Sequence, residues 1–284
     1  MKLTCLTSAL AAAALGISSF AAFADVPPPR DVPFEGTVQI NVDATDVAHR
    51  IFRVHEVIPA QPGPLTLLYP QWLPGNHSPT GPIDKLAGLV VTANGKTLPW
   101  KRDTLNVYAF HVDVPAGASS VEVAFQFLSP QEKNQGRVVM TPEMLNLQWN
   151  ASSLYPAGYA TKGITAQTSV KFPAGWQFGS ALEVASRDGD TVHFKPISYD
   201  NLVDSPIYAG KYFKRVDLDP GAKVPVHLNI VADAPKYLEI TPEQLKVHRN
   251  LVQQMYKLYG ARHYNHYDFL FSLSDKMSGN GLEH

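Results

Sequence analysis

The sequence is poor in cysteine and in charge. Its 284 residues include one cysteine, Cys5, which precedes an apolar run at the amino terminus. The rest of the chain therefore cannot build a disulfide framework or a cysteine metal site. Lys and Arg number 24 against 25 Asp and Glu, and the formal net charge is -1. This balance argues against nucleic acid or an anionic membrane surface as partner and favours small uncharged ligands or peptides.

Motifs for metal binding and nucleophilic catalysis are also missing. The stretch His55-Glu-Val-Ile-Pro59 begins like the helical H-E-x-x-H signature, but proline stands where the second histidine must be. His263 and His266 are three residues apart without a third ligand nearby, which is more typical of packed or solvated histidines. Ser78 is not in a G-x-S-x-G elbow. We therefore predict no catalytic residue and no metal ligand within this chain.

The first 24 residues have the features of an export signal. Lys2 precedes an Ala- and Leu-rich run that ends at Ala22-Phe-Ala24. A basic start, a short apolar core and an Ala-x-Ala end predict a signal peptide cut after Ala24. The run is too short to serve as a stable membrane anchor, and prolines follow it closely. We expect a periplasmic or secreted protein without a membrane anchor.

Short strand patterns fill the chain between residues 37 and 231. Asn94-Gly95 joins two of them in a predicted hairpin, because these residues tolerate the positive φ angles of a tight turn. Many short strands with Pro and Gly turns predict a mainly β fold, an antiparallel sandwich or open saddle that spans residues 25–235. The predicted strands cover residues 37–42, 51–58, 65–69, 89–93, 96–98, 106–114, 120–128, 168–172, 191–195 and 224–231.

The pattern changes after residue 235. Thr241-Pro-Glu begins a helix with a good N-cap, a proline in the first turn and an acidic residue, and Gly260 ends it. A strand is predicted from Asp268 to Leu273. We expect residues 236–284 to begin a mixed α+β domain.

The segment after that strand carries a potential binding group. Residues 274–280 form a predicted glycine-bearing turn, and a second extended segment begins at Gly281. Glu283 supplies an anion, and the glycines let a ligand approach the backbone closely because they lack a Cβ. This combination suits the binding of a peptide ammonium. The alternative is that Gly279 and Gly281 only shape a turn and that Glu283 is solvated.

The same residues resemble a known family. Gly279-Asn-Gly-Leu-Glu-His284 is similar to the Gly-x-Gly-Leu-Glu-His strand of the glycyl aminopeptidase family of thermolysin-like (gluzincin) zinc metallopeptidases. Distant relatives of aminopeptidase N type have Gly-x-Met-Glu-Asn at that place. Trp72-Leu-Pro-Gly75 and Leu202-Val-Asp-Ser-Pro206 resemble two segments of the family's β domain. The resemblance thus extends over the whole chain that follows the signal.

This resemblance implies a fold and a function. The family has an amino-terminal β domain and then a thermolysin-like catalytic domain, so residues 236–284 would be the truncated start of the second. The fragment would end before the H-E-x-x-H helix of its parent, which holds the zinc cofactor, and would itself be inactive. The parent would release Gly- or Ala-type residues from the amino terminus of a peptide substrate. The implied substrate-binding residues are Gly279, Gly281, Leu282, Glu283 and His284, with Glu283 bound to the α-amine.

A second hypothesis is a stand-alone periplasmic β-domain module that binds peptide or carbohydrate. It explains the missing metal ligands without truncation. It does not explain the helix and apolar strand after residue 240. If the chain is truncated, we expect that region to be sensitive to proteases, because its packing partners are missing.

Overall fold

A computed structural model describes residues 26–72, 75–76, 78–279 and 281. The predicted signal peptide and the last three residues of the chain lie outside the described residues. The described part is mainly β, as the sequence predicts. Its strands are β1 (Thr37–Asp46), β2 (Ile51–Pro59), β3 (Gly63–Leu68), β4 (Leu86–Ala93), β5 (Lys96–Leu98), β6 (Trp100–Arg102), β7 (Ala109–Val114), β8 (Ser120–Leu128), β9 (Met144–Leu147), β10 (Tyr155–Pro156), β11 (Thr165–Lys171), β12 (Gln177–Gly179), β13 (Val184–Asp188), β14 (Thr191–Phe194), β15 (Ile197–Ser198), β16 (Ile207–Gly210), β17 (Phe213–Asp217), β18 (Val226–Ala232) and β19 (Tyr267–Leu273).

Two α-helices and five short 3-10 helices accompany the strands. The α-helices are α1 (Tyr199–Val203) and α2 (Pro242–Tyr259). The 3-10 helices are Ile83–Lys85, Lys133–Gln135, Trp149–Ala151, Thr161–Gly163 and Pro235–Leu238. In the part of the chain that the structure describes, no helix is both long and apolar enough to cross a membrane.

The largest sheet has nine strands. Its main path runs β13-β14-β11-β1-β2-β8-β4-β5, and β15 pairs with β11. Alternate side chains of β1 and β2 point into the core, as the period of the sequence predicts. One feature differs from the predicted antiparallel arrangement, because β1 and β11 are parallel, with Thr37 opposite Thr165. A parallel pair needs a long connection, and here it includes most of the β domain.

A second layer of smaller sheets covers the large one. One has the order β10-β3-β7-β6, and another has the order β12-β16-β9. Their inward side chains, such as Phe110 and Leu145, share one hydrophobic core with Ile40 and Phe52 of the large sheet. Burial of a side chain of this size contributes about 1.5–3 kcal/mol relative to exposure. The predicted strand 106–114 begins only at Ala109, because Asn106 forms a turn in which its side chain accepts a hydrogen bond from the Tyr108 N–H at 3.1 Å.

The carboxyl-terminal elements form their own sheet and core. The order is β17-β18-β19, with β18 and β19 parallel. Helix α2 packs on this sheet through Val252, within a cluster that includes Leu228. The sheet joins strands from both sides of residue 235, and the boundary that we place there from the sequence stays a prediction.

Helix α2 begins and ends where the sequence predicts. The Thr241 hydroxyl accepts a hydrogen bond from the Gln244 N–H, and the Gln244 side chain accepts one from the Thr241 N–H. This capping box satisfies two N–H groups that a helix start otherwise leaves free. Gly260 ends the helix with a positive φ of 65°.

Candidate functional site

The segment that leads to the predicted substrate strand is bound to the β domain. After β19, the Ser274 hydroxyl donates a hydrogen bond to Asp233 at 2.9 Å. Met277 is buried against Met144. Ser278 then makes two hydrogen bonds with Val138: its N–H donates to the Val138 carbonyl at 3.1 Å, and its hydroxyl accepts from the Val138 N–H at 2.9 Å. These contacts fix the start of the segment beside the loop that contains residues 136–140.

The structure describes two of the five predicted substrate-binding residues. Gly279 is exposed, as is Gly281, and a Cβ added at either position would meet no atom within 4 Å. Open space at both glycines leaves room for a ligand beside the backbone. Leu282, Glu283 and His284 lie outside the described residues, so their assignment stays a prediction.

A cavity of about 560 Å³ is lined in part by the stretch of chain to which this segment is bonded. Three stretches of chain provide most of its lining: residues 75–85, which include part of the Trp72–Pro82 loop, residues 130–139 and residues 146–152. Phe52 and Phe127 from the large sheet form its apolar floor. Val138, which bonds to Ser278, lies between two residues that line the cavity. Ser278 is therefore bonded to the backbone of a stretch of chain that lines the cavity.

The cavity walls are held by long-range hydrogen bonds. The Gly81 N–H donates to the Gln71 carbonyl at 2.9 Å, and the Tyr108 hydroxyl donates to the Gly81 carbonyl at 3.2 Å. A Cβ at Gly81 would overlap the Pro70 carbonyl oxygen, so the close approach requires glycine here. Gly81 is thus tied to the residue that precedes β7 and to Gln71.

The Leu202–Pro206 segment supports the opposite wall. The Trp149 indole N–H donates to the Ser205 carbonyl at 3.1 Å, and the Ser180 hydroxyl donates to the Pro206 carbonyl at 3.0 Å. Trp149 is fully buried and begins the 3-10 helix that leads to Ser152. This segment therefore supports the cavity wall indirectly, because it holds Trp149 in place.

Several polar groups at or near the cavity are not evident from the sequence. Arg137, Asn146 and Ser152 line it, and none of them belongs to a recognisable motif. Burial raises the pKa of Tyr208, which accepts a hydrogen bond from the Asn146 amide at 3.3 Å. Burial also lowers the pKa of Arg137 from its ordinary value. These residues come from strands and loops that are distant in sequence, so no local sequence pattern predicts that they lie together.

The His55-Glu56 pair lies in strand β2 and not in a helix. His55 points to solvent and lies 3.2 Å from the Glu122 carboxylate, whereas Glu56 is fully buried. Adjacent strand residues face opposite sides of the sheet, so the two side chains cannot share a metal. The resemblance to H-E-x-x-H is a coincidence, as Pro59 indicates.

The histidines near residue 265 are also engaged elsewhere. His266 Nδ1 lies 2.7 Å from one oxygen of Asp268, and His227 Nδ1 lies 3.4 Å from the other. Across residues 26–72, 75–76, 78–279 and 281, no group of three or more His, Cys, Asp or Glu side chains is arranged to hold a metal ion. His263 is exposed.

Sequence comparison supplies the family. Residues 39–211 match the Peptidase M61 N-terminal domain, which is more than half of the chain. The chain belongs to this family. The M61 domain match includes most of the large sheet, the cavity-lining loops and the Leu202–Pro206 segment, and it makes the chain a peptidase-related module. A comparison with curated proteins gives no match.

A solved structure shares the fold of this chain. An aminopeptidase N family protein from Idiomarina loihiensis superposes with a TM-score of 0.70 at 15% identity, over 87% of this chain and 41% of that protein. Native yeast LTA4 hydrolase gives a TM-score of 0.49 at 12% identity, over 86% of this chain and 38% of that one. An M1 zinc metallopeptidase from Deinococcus radiodurans gives 0.47 at 12% identity, over 84% of this chain and 56% of that one. The M61 chain therefore spans less than two thirds of each of these proteins.

Proposed function

We propose that this chain is the amino-terminal part of an exported zinc aminopeptidase of the glycyl aminopeptidase branch, which releases Gly or Ala from the amino terminus of peptides. The observation that carries the proposal is the pair of hydrogen bonds between Ser278 and Val138, because they bond the residue before Gly279 to a stretch of chain that lines the cavity. The M61 family match supports a metallopeptidase parent.

In this proposal Glu283 binds the ammonium group of the substrate. A carboxylate paired with a ligand ammonium forms a charge-assisted hydrogen bond, which fixes the position of the first residue. The substrate then has only one register, and only its first peptide bond reaches the reacting groups. Gly279 and Gly281 leave room for a ligand beside the backbone, and the preference for a small first residue rests on the resemblance to the glycyl aminopeptidase family.

Zinc belongs to the parent in this proposal. The described residues of this chain do not form a metal site, and its one cysteine lies in the predicted signal. The resemblance to the glycyl aminopeptidase family puts the zinc ligands in an H-E-x-x-H helix beyond residue 284. The present chain contributes substrate binding, and we expect it to be inactive alone.

The second face of α2 supports a longer parent. Beside the face that packs through Val252, further apolar side chains recur at helical spacing and are exposed. We define this α2 stripe as Val247, Leu251, Met255 and Leu258, of which Leu258 is 72% exposed. An amphipathic helix normally has one apolar face, so a second one indicates a further layer of protein. In our proposal the rest of the catalytic domain forms that layer.

Export is also part of the proposal. Cleavage after Ala24 predicts a mature protein that begins at Asp25 in the periplasm or the medium. Amino-terminal sequencing of the protein recovered from its source tests this directly. A cytoplasmic protein that retains Met1 would contradict it.

The proposed function is tested in the parent protein. The reading frame is first sequenced beyond the His284 codon to find H-E-x-x-H, and the whole protein is then assayed on a glycine amide substrate. Glu283→Gln should lower kcat/KM by about tenfold to hundredfold, because the carboxylate charge that strengthens the hydrogen bond to the ammonium is lost, while the zinc content stays the same. Glu122→Gln is the control, since Glu122 is half exposed on the outer face of the large sheet.

The outcomes separate the two hypotheses. Unchanged turnover in Glu283→Gln would contradict the role of Glu283. A stop codon after His284, together with saturable binding of peptide or carbohydrate, would instead support the stand-alone binding module.

A further inference from the structure

Arg137 is a half-buried cation that lines the cavity. Within the residues that the structure describes, its guanidinium group has neither a carboxylate partner nor a hydrogen bond, although eleven ion pairs are present there. A guanidinium group remains charged at neutral pH even after partial desolvation. A partly buried charge is costly unless it is paired, so this position favours an anion.

The charge of the cavity is not balanced by its own side chains. Asp84 is the one carboxylate among its described lining residues, and Lys85 holds it at 2.8 Å. The acidic residue Glu143 is on the neighbouring segment, where it pairs with Lys276 at 3.0 Å. The positive charge of Arg137 is therefore available to a ligand.

Two neutral groups in the same cavity also lack partners. Ser152 is 1% exposed and Asn146 is 5% exposed. The Ser152 hydroxyl and the Asn146 carbonyl oxygen have no hydrogen-bond partner among the described residues. Buried polar groups without a partner are rare in folded proteins, and a bound ligand or water satisfies many of them. A hydroxyl can donate to a carboxylate, and an amide oxygen can accept from an adjacent N–H.

We propose that Arg137, Ser152 and Asn146 form a carboxylate subsite for a short acylated amino acid or peptide. Arg137 pairs with the carboxylate, Ser152 donates to it, and Asn146 accepts the neighbouring amide N–H. The planar fork of arginine matches a carboxylate in two parallel hydrogen bonds. Val138, the neighbour of Arg137 in the chain, is bonded to Ser278, which precedes the proposed substrate-binding residues. That the ligand is a peptide rests on the proposed function, whereas the preference for a carboxylate does not.

The test is a titration of the purified chain with ligand, in which calorimetry or NMR measures the binding. N-acetylglycine is the probe, because it has a carboxylate and an amide N–H but no free amine. N-acetylglycinamide is its neutral isostere. We expect N-acetylglycine to bind at least about tenfold more tightly than the amide, as loss of a charge-assisted hydrogen bond predicts.

Variants assign the effect to the subsite. Arg137→Met should weaken N-acetylglycine binding about tenfold or more, and Ser152→Ala severalfold, whereas Arg137→Lys should give an intermediate loss because it keeps the charge but not the fork. Lys171→Met is the matched control, because it removes one exposed positive charge from β11, away from the cavity lining. Thermal unfolding of each variant confirms that it is folded.

Several results would overturn the proposal. The proposal is wrong if N-acetylglycinamide binds as tightly as N-acetylglycine, or if N-acetylglycine does not bind saturably. It is also wrong if Lys171→Met loses as much affinity as Arg137→Met, or if inorganic phosphate binds as tightly as N-acetylglycine. The probe has no amine, so Glu283→Gln should bind it as the unmodified chain does. A failure of the carboxylate subsite is thereby distinguished from a failure of the proposed aminopeptidase role.

Discussion

The carboxyl oxygen Oε1 of Glu56 accepts a hydrogen bond from the backbone N–H of Leu154 at 2.8 Å, inside the core between the two layers of sheet. Glu56 is fully buried, and Oε2 has no partner within the described residues. Leu154 follows the 3-10 helix that leads to Ser152 in the cavity wall. This bond therefore joins strand β2 of the large sheet to the chain that supports the cavity.

We predict that Glu56 makes the folded state less stable as the pH rises. Burial raises the pKa of its carboxyl group well above the ordinary value of 4.5. Below that value both states are protonated and Glu56 adds no pH dependence. Above it, the unfolded state ionises first, so the free energy of unfolding falls by up to about 1.4 kcal/mol per pH unit until the folded-state pKa is reached.

Glu56→Gln checks this prediction because it mimics the protonated form. Urea unfolding between about pH 4 and pH 8 should show the variant growing more stable relative to the unmodified chain as the pH increases. The other titrating groups are the same in both proteins, so their contribution cancels in the difference between the two unfolding free energies. A difference that stays constant over this range would disprove the prediction.

Asp103 gives the opposite pH dependence. The backbone N–H of Asn106, His111 and the backbone N–H of Leu105 lower the pKa of its carboxyl group to about 2. The stabilisation is present above the ordinary value of 3.8 and is lost as the pH falls towards about 2. Asp103→Asn should be less stable near neutral pH and should lose this acid-dependent step. An acid unfolding curve unchanged by the substitution would contradict it.

Gly179 packs closely against Asn229 of the carboxyl-terminal sheet. A Cβ at this position would overlap Asn229, which is 1% exposed and donates to Asp268 at 2.8 Å. We expect Gly179→Ala to lower the free energy of unfolding by roughly 1–3 kcal/mol, because the added methyl group must displace a packed side chain. Gly279→Ala is the control, since a Cβ there meets nothing within 4 Å. Equal denaturation midpoints for the two variants would count against this contact.

The N-cap of α2 should contribute measurably. Thr241→Ala removes the hydroxyl that accepts from the Gln244 N–H at 3.2 Å, and we expect a loss of about 1 kcal/mol in unfolding free energy. Thr241→Ser keeps a hydroxyl that caps at least as well, so it should leave the unfolding free energy unchanged. Amide hydrogen exchange in the first turn of α2 reports the change locally. Unaltered exchange in Thr241→Ala would show that the cap does not stabilise this helix.

We expect a substitution in the α2 stripe to have different effects on the stability of this chain and of a longer parent. Leu258→Gln should change the free energy of unfolding of the present chain by no more than about 0.5 kcal/mol, because the side chain is largely exposed. In a parent whose further residues cover the stripe, the same substitution should cost about 2 kcal/mol or more. Denaturant unfolding of both proteins makes the comparison. Equal small effects in the two would contradict coverage of this face.

Local elements were predictable from the sequence because their signals act over a few residues. Asn94 and Gly95 form the predicted turn with positive φ angles of 51° and 72°. Thr241 and Gly260 bound α2 as expected. The start of β7 was placed too early because the Asn106 side chain competes for backbone hydrogen bonds, which strand propensity does not register.

The amino-acid sequence by itself determined the mainly β class, the helix after residue 240 and the candidate segment Gly279–His284. Hydrophobic period, turn residues and caps act within one element, and each can be recognised without knowing its neighbours. Only the tertiary structure decided that β1 pairs in parallel with β11, that Glu56 faces the core, and that Arg137 and Ser152 share one cavity. Desolvation and unpaired charge arise where distant segments meet, so their consequences depend on how the chain is packed.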